Sequence, residues 1–162
     1  SSAASVVYKR QDIIRKTLGR LVYGEEDDEV EDAAAKALLA ASARLATVEA
    51  GTAGRVAALF AQAAHRRNAT SQQFFCGGLV LPGLPGETSE LIAAAKDIAS
   101  SHNASVGMAI GPVRPSGVRH AVDIVVVNNG TPIVTEHILG GGGIAMSRAA
   151  KSAIDQIRRI LL

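Results

Sequence analysis

The chain has no tryptophan, one cysteine and only 3% aromatic residues among its 162 positions. The lone Cys76 excludes an internal disulfide and suits a reducing compartment, so a cytoplasmic location is expected. No apolar run approaches the roughly 18 residues of a membrane span. The opening SSAASVVYKR lacks the apolar stretch of a signal peptide. With so few aromatics, no stacking platform is interleaved with the basic residues, and nucleic acid is not an expected partner. His65, His102, His120 and His137 are not spaced as zinc ligands, so no metal is expected, and no cofactor either.

What is present is 48% apolar residue, and the aromatic shortage leaves Ala, Val, Ile and Leu to build the core. That composition suits helices packed closely on a sheet. A chain of this length is ordinarily one domain and buries about two-thirds of its unfolded surface without staples. The net charge is only +2, but it is unevenly spread. EEDDEVED (25–32) carries seven of the fifteen acids, leaving a basic remainder. That remainder either attracts phosphate-bearing ligands or simply solvates the surface.

Residues 1–26 read as an amphipathic arm or linker, with Val6, Val7, Ile13, Ile14, Leu18, Leu21 and Val22 at helical spacing among basic residues. Residues 27–162 read as the α/β domain. Its acidic start is expected to cap a helix and to form a solvated first turn, after which Ala-rich sequence continues the helix to about residue 42. Strands are expected at RLATVE (44–49), QFFCGGLVL (73–81) and ASVGMAIG (104–111), helices at 52–66 and 87–101, and a loop at PVRPSG (112–117). RHAVDIVVVNNGTPIVTEHIL (119–139) is a hairpin turning on Asn129-Gly130, the favoured type I′ pair. That turn sets Asn128 opposite Thr131 and Asp123 opposite Glu136. The like charges imply either a splayed, wet end or a register one residue off. Both faces of the hairpin are mainly apolar, so helices should cover both. GGGG (140–143) then leads into a last helix. Alternating elements argue a three-layer α/β/α sandwich on a mixed five-stranded sheet, with the first three strands parallel.

The motifs in this order resemble the C-terminal domain of the competence-damage-inducible protein CinA, also found alone as nicotinamide mononucleotide deamidase. That family's strand-turn-helix reads roughly Ala-Glu-Ser-(Cys/Thr)-Thr-Gly-Gly; here it is Val48-Glu49-Ala50-Gly51-Thr52-Ala53-Gly54. LGRLVYGEEDDEVEDAAAKALL (18–39) is similar to the segment preceding the motif in full-length CinA proteins. FFCGGLV (74–80) resembles the family's Phe-x-Gly-Gly-x-Val, and AIGPVRPSGV (109–118) its Ala-Gly-Pro loop. The resemblance implies the same α/β/α fold, a homodimer, and an upstream domain in a longer protein. The family's chemistry is hydrolysis of a nucleotide carboxamide by a Ser deprotonated by a Lys. Glu49, Thr52, Gly54, Gly78, Gly111, Pro112, Gly117 and Arg148 on matching positions, with Gly51 of the turn and Gly142 and Gly143 of the glycine run, become candidate ligand-binding residues for a pyridine nucleotide or other phosphate-bearing ligand.

The same comparison removes the reactive groups. Ala50 stands in the nucleophile's place, LPGLPGETSE (81–90) has neither the Tyr nor the Lys, and Ile144 stands where an Arg is expected. An unactivated hydroxyl needs a base within reach, and here neither hydroxyl nor base is in place. The expectation is a catalytically silent relative acting as a ligand-binding or assembly module of a larger CinA-like protein. The alternative is an active amidohydrolase with relocated groups, for which Cys76 and the Ser147–Lys151 pair are the substitutes on offer. Cys76 is expected to share a strand face with Phe74 and Gly78. Glu49 and Thr52 either serve a ligand or tie their own turn together. The four glycines either cradle a phosphate or simply connect.

Overall fold

A computed structural model describes residues 29–68, 70–141 and 143–162. The arm at 1–26 and Gly142 lie outside the described residues.

The first described helix, α1 (Val30–Ala40), carries small apolar residues Ala34, Ala35 and Leu38 on its buried side. Its cap is acidic, with the Glu29 N–H donating to Asp32 Oδ2 at 3.3 Å. The first turn is not solvated, contrary to the sequence expectation: Glu31 and Asp32 are both buried. The reason is long-range. Arg66 and Lys151 arrive from two other helices and neutralise the carboxylates, which makes their burial tolerable.

β1 (Leu45–Glu49) and β3 (Val106–Ile110) are buried along their whole length and run parallel, side by side. β2 (Phe75–Val80) pairs parallel with the other side of β1 and forms one sheet edge. An extra residue bulges from β2 between the Leu45–Phe75 and Thr47–Gly78 pairs, and Gly77 takes it up with φ of 96°. α2 (Arg55–Arg66) and α3 (Thr88–Ser101) supply the crossovers.

The hairpin forms as the Asn-Gly turn dictates. β5 (Arg119–Asn128) pairs antiparallel with β6 (Thr131–Leu139), Asn128 faces Thr131, and Asn129 and Gly130 have φ of 48° and 85°. β6 pairs with β5 along its length, so β3 and a short strand β4 (Arg114–Ser116) must share the opposite edge of β5. They take β5 residues 124–128 and 119–121 respectively. β4 falls in the segment expected to be a loop, and it raises the strand count among the described residues to six while leaving the sheet five strands wide.

Asp123 does face Glu136. Neither a splayed end nor a slipped register follows, because Arg114 of β4 reaches across both. Its Nη1 donates to Asp123 Oδ2 at 3.0 Å and its Nη2 to Asp123 Oδ1 at 3.2 Å, and Nη2 also meets Glu136 Oε2.

The layers are unequal. One face of the sheet carries α1, α2 and the last helix α4 (Ala145–Leu161), closing the largest core around Leu45, Met108, Ile110, Ile124 and Ile154. All three phenylalanines meet there: Phe60 stands edge-on to Phe74 with centroids 5.7 Å apart and stacks on Phe75 at 5.5 Å. Among the described residues the other face carries α3 alone. A Cβ on Gly107 would run into the Ala95 carbonyl, so α3 lies close against the sheet, with Leu91 and Ile98 filling its flanks. One helix covers β1, β3 and β5 but does not extend over β6. Val134 and Ile138 are left 45% and 51% exposed, so the hairpin is covered on both faces only at β5.

Cys76 packs on the α3 side with Ala46, Val48 and Ile98, whereas Phe74 and Phe75 both face the larger core. Cys76 therefore does not share a face with Phe74. Phe74 closes a 3₁₀ turn (Ser71–Gln73) with ψ of −14°, which breaks strand alternation before β2 begins.

Candidate functional site

The C-terminal ends of three parallel strands converge on residues 49–54. The Leu81 N–H donates to the Glu49 carbonyl at 2.9 Å, Ala50 N–H to Ile110 O at 3.1 Å and Gly51 N–H to Gly111 O at 3.0 Å. Gly51 is held so close that a Cβ there would collide with the Gly111 carbonyl and crowd Val113. The turn then passes through Ala53 and Gly54, with φ of 49° and 85°, into α2. Beside it, the α2 side chain Arg55 donates to Thr52 O at 3.3 Å and touches Met146 Sδ at 3.7 Å. That contact brings the start of α4 against the turn.

The start of α2 is where free N–H groups and the helix dipole attract an anion. The chain fills that position itself. Glu49, buried at the end of β1, accepts from Thr52 Oγ1 at 2.6 Å, from the Val56 N–H at 2.9 Å and from the Ala57 N–H at 3.2 Å. Both carboxylate oxygens of Glu49 are engaged inside the chain, and the Thr52 hydroxyl is spent on one of them. Ala50 is half-buried and presents a methyl group where the strand enters the turn.

The remaining sequence-derived residues divide into those gathered here and those elsewhere. Gly111 and Pro112 join Glu49, Ala50, Gly51, Thr52 and Gly54 through the backbone bond to Gly51. Gly78 lies earlier, opposite Thr47; a Cβ there would overlap the Thr47 carbonyl, so Gly78 lets β2 lie close on β1. Gly117 sits in the β4–β5 turn with open space beside it, and Gly143 is likewise open. Arg148 is two positions from Met146, about 200° around the helix, and so faces away from the turn. Its guanidinium lies against Gly140 in an open groove of about 340 Å³, shared with Ile138, Leu139, Ser147, Lys151 and Ser152.

Two side chains stand as candidate substitutes for a nucleophile or base. Burial pushes the Cys76 thiol above its ordinary value, against a smaller pull from Arg44, so it stays a protonated thiol rather than an attacking thiolate. For Lys151, burial works against the charge, but the bond to Glu31 at 2.7 Å and the nearby Glu29 outweigh it and raise the amine above the ordinary lysine range. An ammonium so held cannot take a proton from Ser147 at neutral pH. Among the described residues no three His, Cys, Asp or Glu side chains converge on a metal position. His137 bonds to Gln156 at 2.7 Å, which in turn donates to Thr135 at 2.8 Å, so this polar contact ties β6 to α4.

Sequence reasoning missed the cations that complete these clusters. Arg114 was hidden in a presumed loop; the like-charged Asp123–Glu136 pair called for a cation without naming it. Arg66 and Lys151 as partners of the acidic run carried no local signal, being 35 and 120 residues from Glu31.

The arrangement of helices and strands has solved counterparts. A CinA-superfamily protein from Klebsiella pneumoniae superposes with a TM-score of 0.68 at 18% identity, covering 82% of this chain and 95% of that one. The fold is that of the CinA superfamily. A member from Enterobacter cloacae gives 0.59 at 16% identity over 86% of this chain and 94% of its own. One from Escherichia coli gives 0.56 at 18% identity over 89% and 95%. No protein-family model and no curated protein matches the sequence. Among the described residues no helix is long and apolar enough to cross a membrane.

Proposed function

We propose that this CinA-type domain carries no amidohydrolase chemistry and serves as a ligand-binding or assembly module of a larger, cytoplasmic CinA-like protein. The observation that supports it is position 50. At the point where β1 hands over to the turn before α2, the chain offers the methyl of Ala50, and the oxygens nearest to it in sequence are committed to each other as the Glu49–Thr52 bond. An acyl carbon needs an electron-rich attacking atom with a base in reach, and removing the nucleophile alone costs many orders of magnitude in rate. The groups available for a relocated mechanism are a neutral thiol at Cys76 and an ammonium at Lys151. In this reading Glu49 and Thr52 preserve the shape of the turn, and recognition of a pyridine nucleotide or other phosphate-bearing ligand falls to its rim: Arg55, the Gly111–Pro112 loop and the connection into α4. The assembly role is filled by a homodimer.

The test is to titrate nicotinamide mononucleotide into the chain by calorimetry while following ammonia release. Heat without ammonia supports a binding module, and neither signal supports a purely structural one. Ammonia release abolished by Cys76→Ala or Ser147→Ala would overturn the silent reading in favour of relocated catalysis.

A further inference from the structure

Among the described residues, the nine-residue strand β6 has a partner on one side only. The hairpin fixes which of its backbone groups are free. A two-residue turn closed by Asn128 and Thr131 makes that pair hydrogen-bonded, and alternation makes Ile133, Thr135, His137 and Leu139 the positions bonded to β5. Asp123 of β5 obeys the same parity, because its carbonyl accepts from Gly111 on the β3 side. The N–H groups of Val134, Glu136 and Ile138 and the carbonyls of residues 132, 134, 136 and 138 therefore point away from the sheet. Pro132, which has no N–H, falls at an outward position. Residues Thr131 to Val134 are all exposed, and Ile133, Val134 and Ile138 are large apolar side chains 37%, 45% and 51% exposed.

We propose that this edge pairs with the same edge of a second copy, antiparallel about a two-fold axis at Thr135, which makes one continuous sheet of the two copies; this rests on the assembly reading above. The strand is complementary to itself in that register. Val134 exchanges both backbone bonds with Glu136 of the other copy, and the Ile138 N–H meets the Pro132 carbonyl, the one outward position that needs no acceptor in return. Charge disfavours one competing register. A two-fold at Glu136 would set two carboxylates against each other, whereas a two-fold at Thr135 places each Glu136 beside a Val134 and leaves it on its own Arg114.

Area sets the strength. Residues 132–138 pair over about 24 Å, in a strip about 10 Å deep. That alone falls well short of the roughly 800 Å² per partner of a standard interface. The flanking Ile133, Val134 and Ile138 enlarge it, and Ile138 and Leu139 also line the groove shared with α4. The dimer is accordingly weak and concentration-dependent, unlike an obligate one.

Sedimentation of the whole chain from about 1 µM to about 1 mM reads this directly. The expected result is a reversible dimer with a dissociation constant of about 10–100 µM, in the range of small interfaces. Val134→Pro removes an outward donor and leaves the β5 ladder intact, and is expected to weaken the dimer at least about tenfold. Val134→Thr keeps the N–H and should stay within about threefold of the parent. If Val134→Pro does not fold, Ile138→Lys at the exposed rim is expected to weaken association about tenfold as well. A parent chain monomeric throughout would overturn both this pairing and the assembly reading. A dimer indifferent to Val134→Pro, or to Ile138→Lys where that variant stands in, would overturn the β6 edge while leaving the assembly reading intact.

Discussion

Two buried glutamates hold this molecule together in opposite ways. Glu49 finds all its partners between three and eight residues ahead, in the turn and first helical residues that follow it. Glu31 finds its partners on two other helices, taking Arg66 at 3.0 Å from α2 and Lys151 at 2.7 Å from α4. The first carboxylate is hydrogen-bonded by N–H groups and a hydroxyl, the second neutralised by full charges. The first preserves the local shape of the strand–turn–helix around Ala50. The second fixes how three helices sit on one face of the sheet. A local device holds the turn at 49–57, and a long-range one holds the helical layer beside it.

The sharpest way to break the comparison is at Glu49. Glu49→Ala strands the Thr52 hydroxyl and the Val56 and Ala57 N–H groups in a buried setting. A loss of about 3–5 kcal/mol in denaturant unfolding is expected. Glu49→Gln keeps an acceptor and is expected to lose only about 1–2 kcal/mol. If both changes prove neutral, the turn is not held by this carboxylate.

Next in size is the charged cluster. Lys151→Met leaves Glu31 buried with Arg66 alone, and a loss of about 1–3 kcal/mol is expected, tempered by the exposure of the lysine. A double-mutant cycle of Glu31→Gln with Lys151→Met is expected to show coupling of at least about 1 kcal/mol, while Glu49→Gln with Lys151→Met is expected to be additive. Coupling in the second cycle would merge the two regions and dissolve the contrast.

Acid and alkali separate the regions further. Burial raises the Glu31 pKa, but bonds from Lys151, its own backbone and Arg66 outweigh it, so the net shift is downward. A lowered carboxyl contributes stability above its unfolded value and loses it as pH falls through the folded value. Lys151 is raised, so its contribution is complete below the unfolded lysine value and is lost as pH climbs through the folded one. Stability measured against pH is therefore expected to be flat through neutrality and to fall on both sides, and Lys151→Met is expected to blunt both falls. Unchanged limbs in that variant would contradict the assignment.

The smallest effect belongs to the hairpin. Arg114→Leu leaves Asp123 facing Glu136 without a cation, a loss of about 1 kcal/mol, and adding Asp123→Asn is expected to restore most of it. Failure of the second change to rescue would show that Arg114 acts through packing rather than charge.

What the sequence made legible follows the same division. The Asn-Gly turn fixed the β5–β6 register to the residue, because turn type and pleat parity are local. The strand–turn–helix at 44–66 was readable for the same reason, and so was the place of Ala50. Arg114 was not, since a three-residue strand at Arg114–Ser116 exists only because β5 outruns β3. Nor was the burial of Glu31 and Asp32, which depends on cations supplied from α2 and α4. The bare side of β6 escaped notice because an apolar alternation states which residues seek cover, not how far a single helix reaches.

The central proposal is that this chain, with a methyl group at position 50, does not hydrolyse the nucleotide amide. The direct measurement is ammonia released when the chain, at high concentration, is held with nicotinamide mononucleotide over many hours, beside a heat-denatured control. The account predicts release indistinguishable from the control, whether or not the nucleotide binds. Steady release by the folded chain, at a rate that tracks its concentration, would contradict it.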